Sequence, residues 1–356
     1  MTLDYRPLGH SGIKVSAIAL GTMTWGEQNT EAEGHTQLDR AIDFGINLID
    51  TAENYAIPPR PETQGATERI IGNWLKARGR RDQIVLASKV SGPSERTYLR
   101  ADGQPPQLDA KNINEAIEGS LRRLQTDYLD LYQIHWPSRP VPLFGNGSHA
   151  PGRGNDSAEV PIEETLGALD ALVKAGKVRH IGLSNETAWG LSRFLHLAET
   201  RDLPRVVSVQ NAYNLINRTY EQGLAEFHER EQVGLLAYSP LAQGFLTGKY
   251  QGGARPEGAR LTLFNRGDRY TKPGVAEAVD AYLQIARDFG LDPAQLAIAY
   301  VTSRPFVTAN IIGATRPDQL EADLRSVEVR ITPRSRPASM MSFNGTAVPP
   351  PEKDRP

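Results

Sequence analysis

The regular pattern of the chain begins with the stretch Ala17-Ile18-Ala19-Leu20-Gly21-Thr22-Met23-Thr24-Trp25-Gly26. Its first four residues form a short apolar run, which is typical of a strand buried on both faces of a parallel sheet. A helical stretch follows, in which Thr30 and Glu33 fit a capping box and Gly45 can end the helix. A buried strand followed by an amphipathic helix is therefore the first unit of the chain.

The same unit recurs along the chain. Two later helices carry clear start signals, which are Asp109 as an N-cap and Pro161 at a first-turn position. The strand candidates are residues 17–20, 46–49, 84–88, 129–134, 178–182, 206–209, 234–237 and 309–312. Eight β-then-α units predict an α/β protein built as a closed (β/α)₈ TIM barrel.

An open, doubly wound sheet is the rival fold for such a pattern. Its phosphate-binding fingerprint is Gly-x-Gly-x-x-Gly directly after the first strand. The residues from Leu20 to Gly26 do not fit this spacing. The closed barrel is therefore the favoured architecture.

Several segments lie outside the repeating units. Residues 5–15 read as a small β-hairpin that precedes the barrel and plugs its bottom. Long loops poor in regular pattern follow the third, fourth and seventh barrel strands, over residues 91–108, 137–159 and 241–273. We therefore predict one barrel domain over residues 1–331 and a Pro-rich disordered tail over residues 332–356.

The composition excludes several classes of function. The 356 residues include no cysteine, which removes disulfides, thiolate catalysis and cysteine-based zinc sites, and we expect no metal. A net charge of −2 gives no electrostatic reason to expect nucleic acid or a membrane surface as a partner. No signal peptide or membrane span is apparent, so we expect a cytoplasmic protein.

Polar residues collect where the predicted strands end. Active sites of such barrels lie on the face formed by the carboxyl ends of the strands, so these side chains should converge. A helix cap or a satisfied core histidine explains any one of them singly, but capping alone hardly explains the whole row. The residues are Asp50, Lys89, His135, Asn185, Gln210, Tyr238, Ser239 and the run from Gly313 to Arg316.

Four residues suit the reduction of a carbonyl. Tyr55 is a weak proton donor at neutral pH, and the ammonium group of Lys89 beside it is expected to lower its pKa. Asp50 would keep that lysine charged, and His135 can donate a hydrogen bond to the carbonyl oxygen. The competing interpretation is a buried Asp–Lys ion pair with a packed tyrosine.

At these residues the chain resembles the aldo-keto reductase family, and most of all its bacterial Tas-type branch, with potassium-channel β-subunits as more distant relatives. The resemblance runs from Tyr5 to about Leu324. The motifs that carry it are Leu20-Gly21-Thr22-Met23, Asn47-Leu48-Ile49-Asp50-Thr51-Ala52-Glu53-Asn54-Tyr55, Ala87-Ser88-Lys89-Val90, Asp130-Leu131-Tyr132-Gln133-Ile134-His135-Trp136, Ile181-Gly182-Leu183-Ser184-Asn185 and Ala237-Tyr238-Ser239-Pro240-Leu241.

The resemblance implies an NADPH-dependent oxidoreductase in which Tyr55 is the general acid, Lys89 and Asp50 tune it, and His135 positions the carbonyl. Tyr238 would stack on the nicotinamide, and Ser184, Asn185 and Gln210 would bind its carboxamide. Further cofactor contacts are expected from Gly21, Thr22, Met23, Ser239, Pro240, Leu241, Gly244, Lys249, Gly313, Thr315, Arg316, Gln319 and Asp323. Arg316 would be the partner of the 2′-phosphate. Trp25, Tyr55, Trp136 and Phe144 are candidates for an aromatic substrate pocket.

The chain departs from the family pattern at two places. The family often has Glu-Asn at the adenine end, where this chain has Ala322 and Asp323. The aspartate is expected to weaken adenine binding or to alter its geometry. The last family helix, expected just after residue 333, is replaced by Arg334-Ser335-Arg336-Pro337 and the tail, which leaves the substrate pocket undefined.

Three functions are compatible with these residues. The leading hypothesis is a reductase that transfers a hydride from NADPH to an aldehyde or a ketone. A regulatory or sensor subunit that binds NADPH with little turnover is the alternative. A Schiff-base aldolase that uses Lys89 as nucleophile is less consistent with the spacing from Asp50 to Tyr55. The natural substrate and any homo-oligomer are not defined by the sequence.

Overall fold

Eight parallel strands close into a barrel in the computed structural model, which describes residues 3–144 and 159–331. Around the barrel the strand order is β10-β3-β4-β5-β6-β7-β8-β9, and a two-stranded antiparallel hairpin, β1–β2, precedes it. The strands are β1 (Tyr5–Pro7), β2 (Lys14–Ser16), β3 (Ile18–Gly21), β4 (Leu48–Asp50), β5 (Val85–Val90), β6 (Leu129–Ile134), β7 (Val178–Ser184), β8 (Val206–Ala212), β9 (Gly234–Tyr238) and β10 (Val307–Ile312). The predicted fold is confirmed.

Helices surround the barrel and bury apolar faces against its outer surface. Their bounds are α1 (Glu31–Phe44), α2 (Ala66–Arg78), α3 (Ala110–Leu124), α4 (Ile162–Lys174), α5 (Ala188–Arg201), α6 (Glu226–Glu231), α7 (Arg260–Phe264), α8 (Val275–Asp288), α9 (Pro293–Thr302) and α10 (Pro317–Arg325). None of the helices in the described ranges is both long and apolar enough to cross a membrane.

The predicted helix signals are present as caps. Thr30 and Glu33 form the capping box of α1, and Gly45 ends that helix in the left-handed conformation. Asp109 accepts a hydrogen bond from the backbone N–H of Asn112 at the start of α3. Pro161 precedes α4 as its cap residue, one position before the predicted first turn.

Six strands extend beyond their predicted ends, and β5, β7 and β8 do so by two or three residues. β7 continues to Ser184 and β8 to Ala212, and Ser184 pairs with Gln210 across them. The predicted bounds end these strands at residues 182 and 209, before the polar residues Ser184 and Gln210. They remain in the sheet because both side chains are buried and hydrogen-bonded at the barrel mouth.

The loops differ in how far they lack regular structure. Residues 91–108 contain one 3₁₀ turn, Thr97–Leu99. Residues 241–273 contain several short 3₁₀ turns and the five-residue helix α7, more structure than their glycine-rich, aperiodic sequence indicates. Most of the loop 137–159 and the whole of the predicted tail 332–356 lie outside the described residues.

The N-terminal hairpin covers one end of the barrel. Leu8, at its turn, is fully buried in an apolar cluster that fills the barrel interior with residues such as Val15, Leu131 and Leu236. Gly9 beside it has φ +54°, and a Cβ there would lie 2.5 Å from the carbonyl oxygen of Val207. The hairpin can therefore approach the barrel this closely only with glycine at this position.

We expect the substitution Leu8→Ala to lower the free energy of unfolding by about 2–5 kcal/mol, because it leaves a cavity in an interior that cannot collapse onto it. Urea unfolding followed by circular dichroism measures the change. The matched control is Leu263→Ala, at a leucine that is 50% exposed, where the change should stay within about 0.5 kcal/mol. Equal losses in the two variants would show that the hairpin does not seal the barrel.

Candidate active site

The predicted catalytic side chains meet at the carboxyl ends of the barrel strands. Asp50 ends β4, Lys89 lies near the end of β5, and His135 directly follows β6. Tyr55 belongs to the loop after β4. All four side chains are at least nine-tenths buried, so they face one another away from bulk water.

Lys89 uses its ammonium group to join three elements of this site. Its Nζ donates to Asp50 Oδ2 at 2.7 Å and to the backbone carbonyl of Thr51 at 2.8 Å. A third, longer contact of 3.4 Å reaches the phenolic oxygen of Tyr55. The three protons of the ammonium thus each have an acceptor, as a fully buried cation requires.

The carboxylate of Asp50 is held from the other side by two amides of the barrel interior. Its Oδ1 accepts a hydrogen bond from Gln210 Nε2 at 2.8 Å and a weaker one from Gln133 Nε2 at 3.3 Å. Gln210 also donates to Gln133 Oε1 at 3.1 Å. In this structure Gln210 therefore supports the ion pair of Asp50 and Lys89, and its side-chain nitrogen is already engaged.

The ion pair determines the charges at the site. Burial lowers the pKa of Lys89, but Asp50 and Tyr55 outweigh burial, so this pKa lies above its ordinary value and the lysine is charged. Burial raises the pKa of Tyr55, and the Lys89 ammonium opposes this rise without cancelling it. The expected net lowering of the tyrosine pKa is therefore wrong in direction, because removal from water outweighs the neighbouring cation. The phenol is a protonated donor at neutral pH.

His135 faces Tyr55 across the pocket. The two rings lie 5.6 Å apart in an edge-to-face arrangement. Burial, together with the cations Lys89 and Arg96, holds the pKa of His135 well below its usual range, so the imidazole is neutral. Its Nδ1 is buried and has no hydrogen-bond partner in the described part of the chain. The ring can therefore take part in hydrogen bonding with a molecule bound beside Tyr55.

Asn185 connects three strands at the mouth. It lies just after β7 in the left-handed conformation, with φ +55°. Its Nδ2 donates to the carbonyl oxygen of His135 at 2.8 Å and to Ser184 Oγ at 3.1 Å. Its Oδ1 accepts the hydroxyl proton of Tyr238 at 2.6 Å. The backbone of His135 and the hydroxyl of Tyr238 are thus linked by one side chain.

The loop after β9 forms a tight turn at the mouth. It begins with Ser239, Pro240 and Leu241, and both Ser239 and Gln243 have positive φ. A Cβ at Gly244 would lie 2.8 Å from Nζ of Lys249, so the lysine packs directly across the glycine. In the described residues Lys249 makes no ion pair, and burial and nearby arginines lower its pKa.

Residues that follow β10 and β3 complete the rim. The backbone N–H and hydroxyl of Thr315 both donate to Gln319 Oε1. Arg316 is exposed and forms a two-point ion pair with Asp318, at 3.0 and 2.8 Å. Of the remaining predicted residues, Gly313 is exposed and Asp323 is buried. The hydroxyl of Thr22 donates to the backbone carbonyl of Asp50, and the backbone carbonyl of Met23 accepts from the N–H of Ile57. Gly21 packs against β10.

The aromatic candidates separate into two groups. Trp136 lies beside the site, since its ring is 5.0 Å from that of His135 and 6.0 Å from that of Phe144. Trp25 has no exposed surface, donates to Gln37 at 3.3 Å, and packs in the core between the barrel and its helices. The structure therefore brings Trp136 and Phe144 together at the mouth and leaves Trp25 outside it.

The sequence analysis missed three arginines near the mouth, which are Arg96, Arg260 and Arg269. Arg96 lies over the ring of Trp136, and Arg269 over the rings of Phe144 and Tyr238. Burial and the neighbouring cations Arg266 and Arg269 lower the pKa of Arg260. All three lie in segments whose sequence shows no periodicity; the density of arginine over residues 255–269 signals Arg260 and Arg269, and nothing in the sequence signals Arg96.

Known proteins are similar in sequence to nearly the whole of this chain. The model of the aldo/keto reductase family matches residues 17–337. Protein tas of Escherichia coli strain K12 is 53% identical over 333 residues, which is 93% of this chain and 94% of that protein. The aldo-keto reductase YhdN of Bacillus subtilis is 32% identical over 329 residues, covering 90% of this chain and 87% of its own.

A third relative carries a different description. The probable voltage-gated potassium channel subunit beta of Arabidopsis thaliana is 32% identical over 337 residues, which is 92% of both chains. These similarities span nearly the whole barrel, including all the strands that carry the site. The chain belongs to the aldo/keto reductase family.

Proposed function

We propose that this protein is an NADPH-dependent reductase of aldehydes or ketones in which Tyr55 is the general acid. The observation that supports it best is the contact of the buried Tyr55 phenol with a lysine that Asp50 keeps charged. A purely structural ion pair has no need of a protonated phenol and an unpartnered imidazole nitrogen at the same mouth.

The roles of the four residues follow from their charges. Tyr55 donates its proton to the carbonyl oxygen, and the ammonium of Lys89 stabilises the phenolate that remains. Asp50 keeps the ammonium charged and oriented. Neutral His135 donates a hydrogen bond to the carbonyl oxygen as negative charge develops there. Bound NADPH supplies the hydride.

The residues around the mouth fit an anionic dinucleotide. Lys249 and Arg260 are cations without an ion-pair partner in the described residues. Burial lowers the pKa of both side chains, and other cations nearby lower it further. The turn with Gly244 brings backbone close to Lys249, as a diphosphate site requires. The buried Gln243 Oε1 has no hydrogen-bond partner among the described residues. Tyr238 would lie against the nicotinamide, and Ser184 and Asn185 near its carboxamide.

Asp323 is the least expected of the cofactor residues. It is 3% exposed, and burial raises its pKa to about 8, with Asp292 adding to the rise and Lys249 opposing it. Below this pH the side chain is a neutral acid that can both donate and accept a hydrogen bond. Asp323 therefore presents an amide-like edge at the proposed adenine end only while it holds its proton.

The first prediction concerns the general acid. Tyr55→Phe should lower kcat for aldehyde reduction by about 10²–10⁴-fold, because the proton donor is lost while the aromatic packing remains. Consumption of NADPH is followed by its absorbance with a panel of aldehydes. NADPH affinity, measured by cofactor fluorescence, should stay unchanged. Tight NADPH binding with no turnover by the parent would instead favour a sensor role, as in the channel-subunit alternative.

The second prediction concerns the 2′-phosphate. Arg316→Ala should weaken NADPH binding by at least about fivefold, or about 1 kcal/mol, and leave NADH binding unchanged. Asp318→Asn is the opposite test, because it releases Arg316 from its ion pair and should strengthen NADPH binding. The measurement is the dissociation constant of NADPH and of NADH for the parent and for each variant. An unchanged preference in both variants would exclude Arg316 as the phosphate partner.

The third prediction concerns Asp323. Because its pKa is raised, the folded protein keeps a proton that the unfolded chain releases at about pH 4, and stability falls as the pH rises from about 4 to about 8. Asp323→Asn removes this loss. Urea unfolding should therefore show that the free energy of unfolding of the variant rises relative to that of the parent between about pH 5 and about pH 9. A difference that does not vary with pH would contradict a protonated Asp323.

A further inference from the structure

Two arginines from different loops lie at the substrate side of the mouth. Arg96 belongs to the loop after β5, and Arg269 to the loop after β9. Neither takes part in the ion pairs found in residues 3–144 and 159–331. Both side chains are partly buried, which costs free energy because their charged groups lose contact with water. No ion pair with a carboxylate of the described chain offsets this cost.

Arg269 is fixed in place by contacts with neutral groups. Its Nε donates to the carbonyl oxygen of Phe144 at 2.8 Å, and its Nη1 donates to the hydroxyl oxygen of Tyr238 at 3.3 Å. The guanidinium lies 5.0 Å from the ring of Phe144 and 5.7 Å from that of Tyr238. These contacts hold the arginine without neutralising it. Its Nη2 makes no hydrogen bond with the described residues.

Arg96 approaches the same pocket from the other loop. Its guanidinium lies 5.7 Å from the ring of Trp136, which in turn is 5.0 Å from the ring of His135. The pKa of His135 is lowered most by burial, next by the charge of Lys89, and third by the charge of Arg96. The charge therefore acts at the place where a carbonyl substrate would bind.

Two carboxylates at the centre of the site are already neutralised. Asp50 is paired with Lys89, and Glu53 is paired with Arg100 in a contact that is almost fully buried. Glu95, next to Arg96 in the chain, is exposed to solvent. The whole chain carries a net charge of −2, so the positive mouth is a local feature. Because no ion pair of the described residues neutralises Arg96 or Arg269, the two cations favour a negatively charged ligand.

We propose that Arg269 and Arg96 form an anion-binding subsite, and that the preferred substrates are aldehydes or ketones that carry a carboxylate or a phosphate. The inference rests on the proposed reductase function and names its substrate class. Trp136 and Phe144 lie between the two arginines, with their rings 6.0 Å apart, and supply an apolar wall for the body of the substrate. The cations assigned to NADPH are different ones, Lys249, Arg260 and Arg316.

A pair of matched aldehydes tests the subsite. We expect the parent to reduce para-carboxybenzaldehyde with a KM at least about tenfold below that of para-carbamoylbenzaldehyde, which has the same shape without the charge. Arg269→Gln and Arg96→Gln should each raise KM for the acid, with little change in kcat and no change for the amide. Arg269→Lys should restore part of the difference. The control is Arg193→Gln, at an exposed arginine of α5.

Two further arms separate the possible failures. para-Formylphenyl phosphate, compared with the carboxylate, shows which anion is preferred, and preference for either over the amide supports the subsite. Binding of benzoate and benzamide, followed by tryptophan fluorescence in the presence of NADPH, needs no turnover. If nothing is reduced but benzoate binds through Arg269, the reductase proposal fails and the subsite stands.

Three results would overturn the subsite. One is equal KM values of the parent for the acid and the amide. Another is an equal effect of Arg269→Gln on the acid and the amide, which indicates a structural role. The third is a loss of NADPH affinity in Arg269→Gln without a change for the aldehydes, which assigns this arginine to the cofactor.

Discussion

The buried contact between Lys89 and Asp50 is the interaction on which the rest of the site depends. Removing two charges from water costs several kcal/mol for each ion, so such a pair is tolerable only if its remaining hydrogen-bonding groups are satisfied. The barrel satisfies them with the carbonyl of Thr51 and the amides of Gln210 and Gln133. These groups come from different strands, and only a closed barrel brings those strands around one carboxylate.

The barrel divides its interior into two parts with opposite chemistry. Apolar side chains fill the end next to the hairpin, while polar side chains on or directly after six strands converge at the other. The charged Lys89 lies beside the phenol of Tyr55, and the apolar layer keeps water from reaching them through the hairpin end of the barrel. The same exclusion raises the pKa of Tyr55, so the environment that sustains the ion pair also keeps the tyrosine protonated.

Much of this was predictable from the sequence. The strands and the candidate catalytic residues at their ends follow from short apolar runs and from the polar residues that end them, both of which are local signals. Other features were not predictable. Gln133 reads as part of a buried strand, the tyrosine pKa depends on a balance of burial and charge, and Trp25 lies next to a family motif but points into the core. Arg96 and Arg269 come from aperiodic loops, and only the folded chain shows that they share a pocket.

The seal formed by Leu8 has a consequence for molecular traffic. The cluster around this residue is closed to solvent, so in the described part of the chain the interior opens at the opposite end, where Tyr55 and His135 lie. In the proposed reductase, NADPH and the carbonyl substrate would then share one entrance. NADPH, once bound against Tyr238, would form one wall of the chamber that receives the substrate. The leucine at the far end of the barrel thus leaves a single face for every ligand that the proposed function requires.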